Sequence, residues 1–138
     1  MKTFALAGLM MLTLLSNTPA IEPRVFATPI EAADALTKAA EGGETAPLLD
    51  IFGDKHQSVI GTSDPARDKE LRGRFAKMAK ERRRFRFNED GSVTMVVGFG
   101  AWAFPIPLVK REKGWSYNTD AGIAEVVKRR IGEYEFDT

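Results

Sequence analysis

Between Trp102 and Lys110 the chain reads Trp-Ala-Phe-Pro-Ile-Pro-Leu-Val-Lys, and its two prolines at alternate positions constrain the fold more than any other feature. Residues two apart on a strand turn their amides to the same side. Pro105 and Pro107 therefore remove two donors from one side of the backbone, and that side cannot pair fully inside a sheet. The run is expected to be an edge or bulged strand. Three roles follow for it: protection of the monomer from edge-to-edge association, a rigid recognition edge, or a surface against which a C-terminal portion packs.

The flanking pattern supplies the rest of an antiparallel sheet. From Arg84 the period is two, with Arg84 and Arg86 pointing one way and Phe85 and Phe87 the other, so both phenylalanines are expected in the core. Asn88-Glu89-Asp90-Gly91 is a hairpin turn, and Val93 to Val97 is the returning strand, broken by Gly98 and Gly100. After the turn Arg111-Glu112-Lys113-Gly114, Trp115-Ser116-Tyr117 is a short strand with both aromatics on one face.

Helices precede and follow the strands. Residues 21–27 read as a short tether, after which Thr28-Pro29-Ile30-Glu31 places a threonine at an N-cap, proline at the first helical position and a glutamate able to reach back to the cap. Ala32, Ala35, Leu36 and Ala39 give that helix a narrow small-residue face, ended by Gly42-Gly43. A second helix is expected over 46–52 and a polar loop over 54–62. Ser63-Asp64-Pro65 then opens a third helix, with Leu71, Phe75, Met78 and Ala79 inward and Arg72, Arg74, Lys77 and Lys80 outward. Thr119 or Asp120 caps a last helix running through Arg130 and stopped by Gly132. The order is α+β: N-terminal helices packed on a curved antiparallel sheet. In pattern it resembles the cystatin-like and nuclear-transport-factor-2-like superfamily, whose cone-shaped sheet encloses either a pocket or a plain core.

Residues 1–20 are set apart from this. Lys2, the uncharged apolar run Phe4 to Leu15 and the small-residue stretch Ser16 to Ala20 have the layout of a secretory signal peptide. The run is shorter than the roughly 20 residues that span a bilayer. Cleavage after Ala20 is expected, leaving residues 21–138 as a single domain, periplasmic or secreted, with no transmembrane anchor. The chain has no cysteine, so no disulfide framework or lipoprotein attachment exists, and a core must supply stability. With 20 basic and 19 acidic side chains there is no global charge to draw nucleic acid, and none is expected as partner. One histidine excludes the usual multi-histidine metal cages, and neither metal nor cofactor is expected.

At finer grain, Phe26-Ala27-Thr28-Pro29, Glu31-Ala32, Ala35-Leu36, Ser63-Asp64-Pro65, Trp102 with the run from Phe104 to Lys110, Gly114-Trp115, Thr119, Ala121-Gly122, Glu125 and Arg129-Arg130-Ile131-Gly132 form one pattern. In these residues the chain resembles an uncharacterised family of exported bacterial proteins, domain of unknown function 2950. Ala103, Asn118 and Glu133-Tyr134 depart from its pattern. Members continue beyond Thr138, so this chain is expected to be either a short member or the N-terminal portion of a longer protein. The resemblance implies export and a fold; it names no reaction.

Candidate chemistry is sparse. His56 stands near Asp54 and Ser58, yet triads are assembled from distant segments, and an exposed loop histidine is the plainer reading. Lys77 to Arg86 holds six basic residues, with Phe85 and Phe87 interleaved, a composition that suits single-stranded nucleic acid, anionic lipid or acidic polysaccharide; the leader makes nucleic acid the poorest fit of these, and a solvated helix face leading into a strand with core phenylalanines is the plainer reading. The candidate pocket or interaction residues are Trp102, Phe104, Trp115 and Tyr117, bordered by Asn118, Thr119 and Arg129. No catalytic residue is identified. The expected function is a non-enzymatic module binding a small ligand or an envelope protein; the alternative is a small enzyme using a pocket in the cone, with Asp120 or Glu125 as base. A raised carboxyl pKa would favour the second.

Overall fold

Helix α1 (Pro29–Gly42) starts as its sequence requires: the Thr28 hydroxyl accepts from the Glu31 amide at 3.1 Å, and Gly43 ends the helix in the left-handed region at φ 76°. Glu31 reaches one residue further back than expected, accepting from the Ala27 amide at 3.3 Å. The computed structural model describes residues 20–136, so the expected leader lies outside the described residues except for Ala20. Ala33, Thr37 and Ala40 are buried as well as Ala32, Leu36 and Ala39. The apolar face is wider than one stripe because α1 is covered on more than one side, chiefly by α4 (Pro65–Glu81) and also by α2 (Thr45–Phe52) and the sheet.

Two features of the helical layer differ from the periodicity. The expected polar loop contains a one-turn helix, α3 (Gln57–Ile60), whose end carbonyl at Ile60 accepts from Arg72 at 2.8 Å. Arg72, expected in solvent, also donates to the Gly43 carbonyl and the Thr45 hydroxyl, both at 3.1 Å. One guanidinium thus joins the end of α1, the start of α2 and the end of α3. It can do so because the inward face of α4 is Arg72, Phe75, Ala76 and Ala79, rotated from the expected stripe; Leu71 is exposed instead. Ala76 and Ala79 are small enough to let α1 come close, and a leucine in that line would hold the helices apart.

The strands are β1 (Arg83–Phe87), β2 (Val93–Val97), β3 (Trp102–Ala103), β4 (Leu108–Arg111) and β5 (Gly114–Tyr117). They form one five-stranded antiparallel sheet of order β1-β2-β4-β5, with β3 also paired to β2. The proline run is not an edge strand. Val97 pairs with Trp102 and Val96 with Ala103, the Phe104 amide donates to the Met95 carbonyl at 2.8 Å, and the next pair is Val93 with Leu108. A regular ladder would bring Val93 opposite Ile106; the two extra residues are taken up by a bulge around Pro105 and Ile106. Lifted out of the ladder, the prolines need no amides.

That bulge is where α5 (Thr119–Phe136) docks. Ile106 is buried, and a Cβ placed on Gly122 would stand 2.6 Å from the Ile106 Cα, so only glycine fits. Helix α5 runs through Gly132 rather than stopping there; a lone glycine costs a helix only about 1 kcal/mol relative to alanine. The N-terminal stretch is likewise no free tether. Phe26 exchanges two backbone hydrogen bonds of 2.7 Å with Trp115, and Arg24 donates to the Ile51 carbonyl at 3.2 Å.

Candidate functional site

The inner face of the sheet carries Val93, Met95, Val97, Leu108 and Tyr117, all almost wholly buried beneath α1, α2 and α4. Tyr117 lies at the centre with no exposed surface, its hydroxyl donating to the Ala32 carbonyl at 3.0 Å. Burial pushes its phenol far above the ordinary value, so it stays protonated. Phe52 packs edge-on to Tyr117 at 5.1 Å between ring centroids, and Phe104 contacts both Phe52 and Tyr117 at about 6 Å. Phe75 and Trp102 extend the cluster outward from Phe104. The interior is therefore filled by rings. No buried side-chain nitrogen or oxygen among the described residues lacks a partner.

The seven expected pocket residues separate accordingly. Tyr117 is core, and Phe104 is half-buried and packs against it. Thr119 is buried and donates to the Phe52 carbonyl at 2.8 Å, tying the start of α5 to the end of α2. Asn118 supplies the cap expected of Thr119 or Asp120, its side chain accepting from the Ala121 amide at 3.3 Å. Trp115 is half-buried beside Phe26. Trp102 is 40% exposed, with the Arg129 guanidinium 5.4 Å from its ring; Arg129 also donates to the Ala103 carbonyl at 2.8 Å and to Glu125 at 3.0 Å. These residues do not converge on one cavity.

His56 meets a carboxylate, but not the neighbour in sequence. Its Nε2 lies 2.7 Å from Asp120 Oδ1, which Lys55 also approaches at 3.1 Å, while Asp54 accepts from the Ile21 amide. Hydrogen bonds from His56 and then Lys55 hold the Asp120 carboxyl below its usual range. A carboxylate so stabilised is a poor general base near neutrality. Among the described residues Ser58 has no side-chain hydrogen bond to His56 or Asp120. Among the described residues, no three histidine, aspartate or glutamate side chains gather to hold a metal ion.

A candidate interaction surface lies on β1, at the end of the basic run Lys77 to Arg86, and what periodicity missed there is the exposure of its rings. Phe87, expected in the core, is 76% exposed, and Phe85 is only half-buried, because β1 is the outermost strand and the helical layer does not reach across it. Arg84 and Arg86 occupy the opposite face, exposed and without an ion-pair partner among the described residues. Arg83, by contrast, pairs with Asp34 on α1 at 2.6 Å. A groove of about 350 Å³ runs past Arg84, Phe85, Arg86, Val96 and Ala101. Phe99, in the turn beyond β2, adds a ring that is 74% exposed. A second groove, between α1 and α2, is bordered by the Arg24–Asp50 ion pair and carries no comparable set of rings.

The sequence model of one family, described as a protein of unknown function (DUF2950), matches residues 23–138. No curated protein and no solved structure matches the chain.

Proposed function

Because the chain belongs to the DUF2950 family of proteins of unknown function, its role has to be read from its own surface, and we propose that it is an exported, non-enzymatic binding module of the periplasm. The observation that carries this reading is the contrast between a ring-filled interior and an open strand on which Phe87 is exposed and Arg84 and Arg86 have no ion-pair partner among the described residues. Contacts outside a filled core favour a protein or other large partner over an enclosed small ligand. Asp120, held in its charged form by His56 and Lys55, is a poor base for the enzymatic alternative, and Glu125, the other candidate, accepts from Arg129 at 3.0 Å. Export rests on the leader-like run of residues 4–15, and among the described residues no helix is long and apolar enough to cross a membrane. The cystatin-like or nuclear-transport-factor-2-like cone belongs to the same proposal, supported by helices laid on one face of an antiparallel sheet whose register shifts at the proline bulge.

Photo-cross-linking in intact cells tests the reading. A cross-linking residue at position 87 is expected to trap a partner in the envelope fraction, and one at position 70, on the outer face of α4, to trap none. Equal yields at both positions, or none at either, would overturn it.

A further inference from the structure

Antiparallel pairing fixes what β1 presents on its free side. The Gly98 amide donates to the Arg82 carbonyl at 2.8 Å and the Asn88 amide to the Ser92 carbonyl at 2.9 Å. Between these two points the register places Arg84 opposite Val96 and Arg86 opposite Thr94. By alternation those even-numbered residues turn their backbone groups toward β2, and Arg83, Phe85 and Phe87 turn theirs away from the sheet. Among the described residues no strand pairs with that side. The hairpin is already set by the Asn88 side chain, which donates to Ser92 and Thr94 hydroxyls, and by Asp90, which accepts from the Ser92 amide and hydroxyl. A strand added here would meet a formed template.

The side chains say what kind of strand. Arg84 and Arg86 lie on the outer face, Phe85 and Phe87 on the helical face. A planar anionic membrane or a polysaccharide lying on one face would meet either the charges or the rings, but not both. An added strand continues both faces at once, with alternate side chains falling beside the arginines and beside the phenylalanines. A second copy of β1 would bring arginine against arginine, which disfavours self-pairing.

The geometry points to β1 as a docking edge for an extended segment of a partner protein in which acidic and apolar side chains alternate, joined to the sheet by β-strand addition. This deepens the binding reading above and rests on it.

The probe is a fluorescent peptide of alternating glutamate and valine, titrated against the full chain and followed by anisotropy. Three peptides accompany it: one with lysine for glutamate, one with the same residues in two blocks, and one N-methylated at alternate amides. The alternating acidic peptide is expected to bind at least about 10-fold more tightly than each of these, the size of one or two lost edge interactions. Phe87→Pro deletes an outward amide without touching the β1–β2 ladder and should weaken binding by a similar factor, whereas Phe87→Thr should retain more of it. Arg84→Glu with Arg86→Glu should turn the preference toward the lysine peptide. Were Phe87→Pro to unfold the hairpin, the N-methylated probe would still decide the point.

Equal binding of the block or N-methylated peptide would reduce the edge to a patch of charge and overturn the proposal. So would binding only to anionic phosphatidylglycerol vesicles, or a dimer that blocks the peptide in sedimentation. If the peptide fails while position 87 still cross-links in cells, strand addition is wrong and the binding reading survives. Loss of both removes the reading itself.

Discussion

The two sides of the sheet end in opposite ways. Beyond β5, Phe26 adds a backbone bridge, Tyr117 is bonded to α1, Thr119 is bonded to α2, and the adjoining bulge receives α5 through Gly122. Beyond β1 nothing among the described residues completes the ladder, and the rings of Phe87 and nearby Phe99 lie largely in water. One strand of a small sheet must be outermost, and a natural protein commonly guards it with charge, as Arg84 and Arg86 do here. Guarding does not explain Phe87 and Phe99, which gain nothing from solvent. The sealed side is fastened to three helices, and the open side leaves Arg84, Arg86 and Phe87 exposed.

Substitutions at Tyr117 probe the sealed side hardest. Tyr117→Ala should destabilise the protein by about 3–5 kcal/mol through cavity formation, seen as a lower urea midpoint with an unchanged slope. Tyr117→Phe should cost only about 1 kcal/mol, the hydrogen bond to Ala32 alone. Gly122→Ala comes next, at about 1–3 kcal/mol, because the new methyl meets the Ile106 backbone and α5 must shift away from the bulge. Stability near wild type for Gly122→Ala would show that α5 is loosely held and the two sides less different than described.

On the open side, Phe87→Thr should move stability by no more than about 0.5 kcal/mol in either direction by the same measurement. A larger loss would mean that the ring packs in solution.

The smallest effect concerns pH. Asp120 has a folded pKa below its unfolded value near 3.8, so its pairing with His56 and Lys55 contributes stability above that value and loses it as pH falls through the folded pKa. Comparing urea midpoints at pH 5 and pH 3, wild type should fall slightly further than Asp120→Asn; equal falls would place the dyad outside the folding balance.

Much of this contrast was legible in the sequence and some was not. Thr28, Asp64 and the Asn88–Gly91 turn act through local chemistry, and each appears where local rules put it. The alternation of Arg84 to Phe87 correctly assigned residues to faces. It could not say that the helical layer stops short of Phe87, since coverage depends on where distant helices lie. Arg72 was misplaced for a related reason: its three acceptors at Gly43, Thr45 and Ile60 come from three separate element ends, and no spacing along one helix announces them. Pro105 and Pro107 correctly forbade a regular strand, but whether such a strand lies at an edge or bulges in the middle depends on its pairing with β2 and β5, which come from either side of it in the chain. Sequence left open whether Phe104 and Tyr117 line a pocket or fill the core, because aromatics on strands look the same in either place; in the fold they contact each other within the ring cluster.

Native-state amide hydrogen exchange tests the difference between the two sides most directly. The amides of Phe26 and Trp115, each donating to the other's carbonyl across the sealed side, should exchange only in step with those of Phe104 and Asn118, which donate to the Met95 and Pro107 carbonyls, and those of Phe85 and Phe87 should exchange freely while their ladder neighbours Arg84 and Arg86 stay protected. Protection of Phe85 and Phe87 in the isolated protein equal to that of Phe26 and Trp115 would show that the β1 edge is already occupied, and would contradict the account.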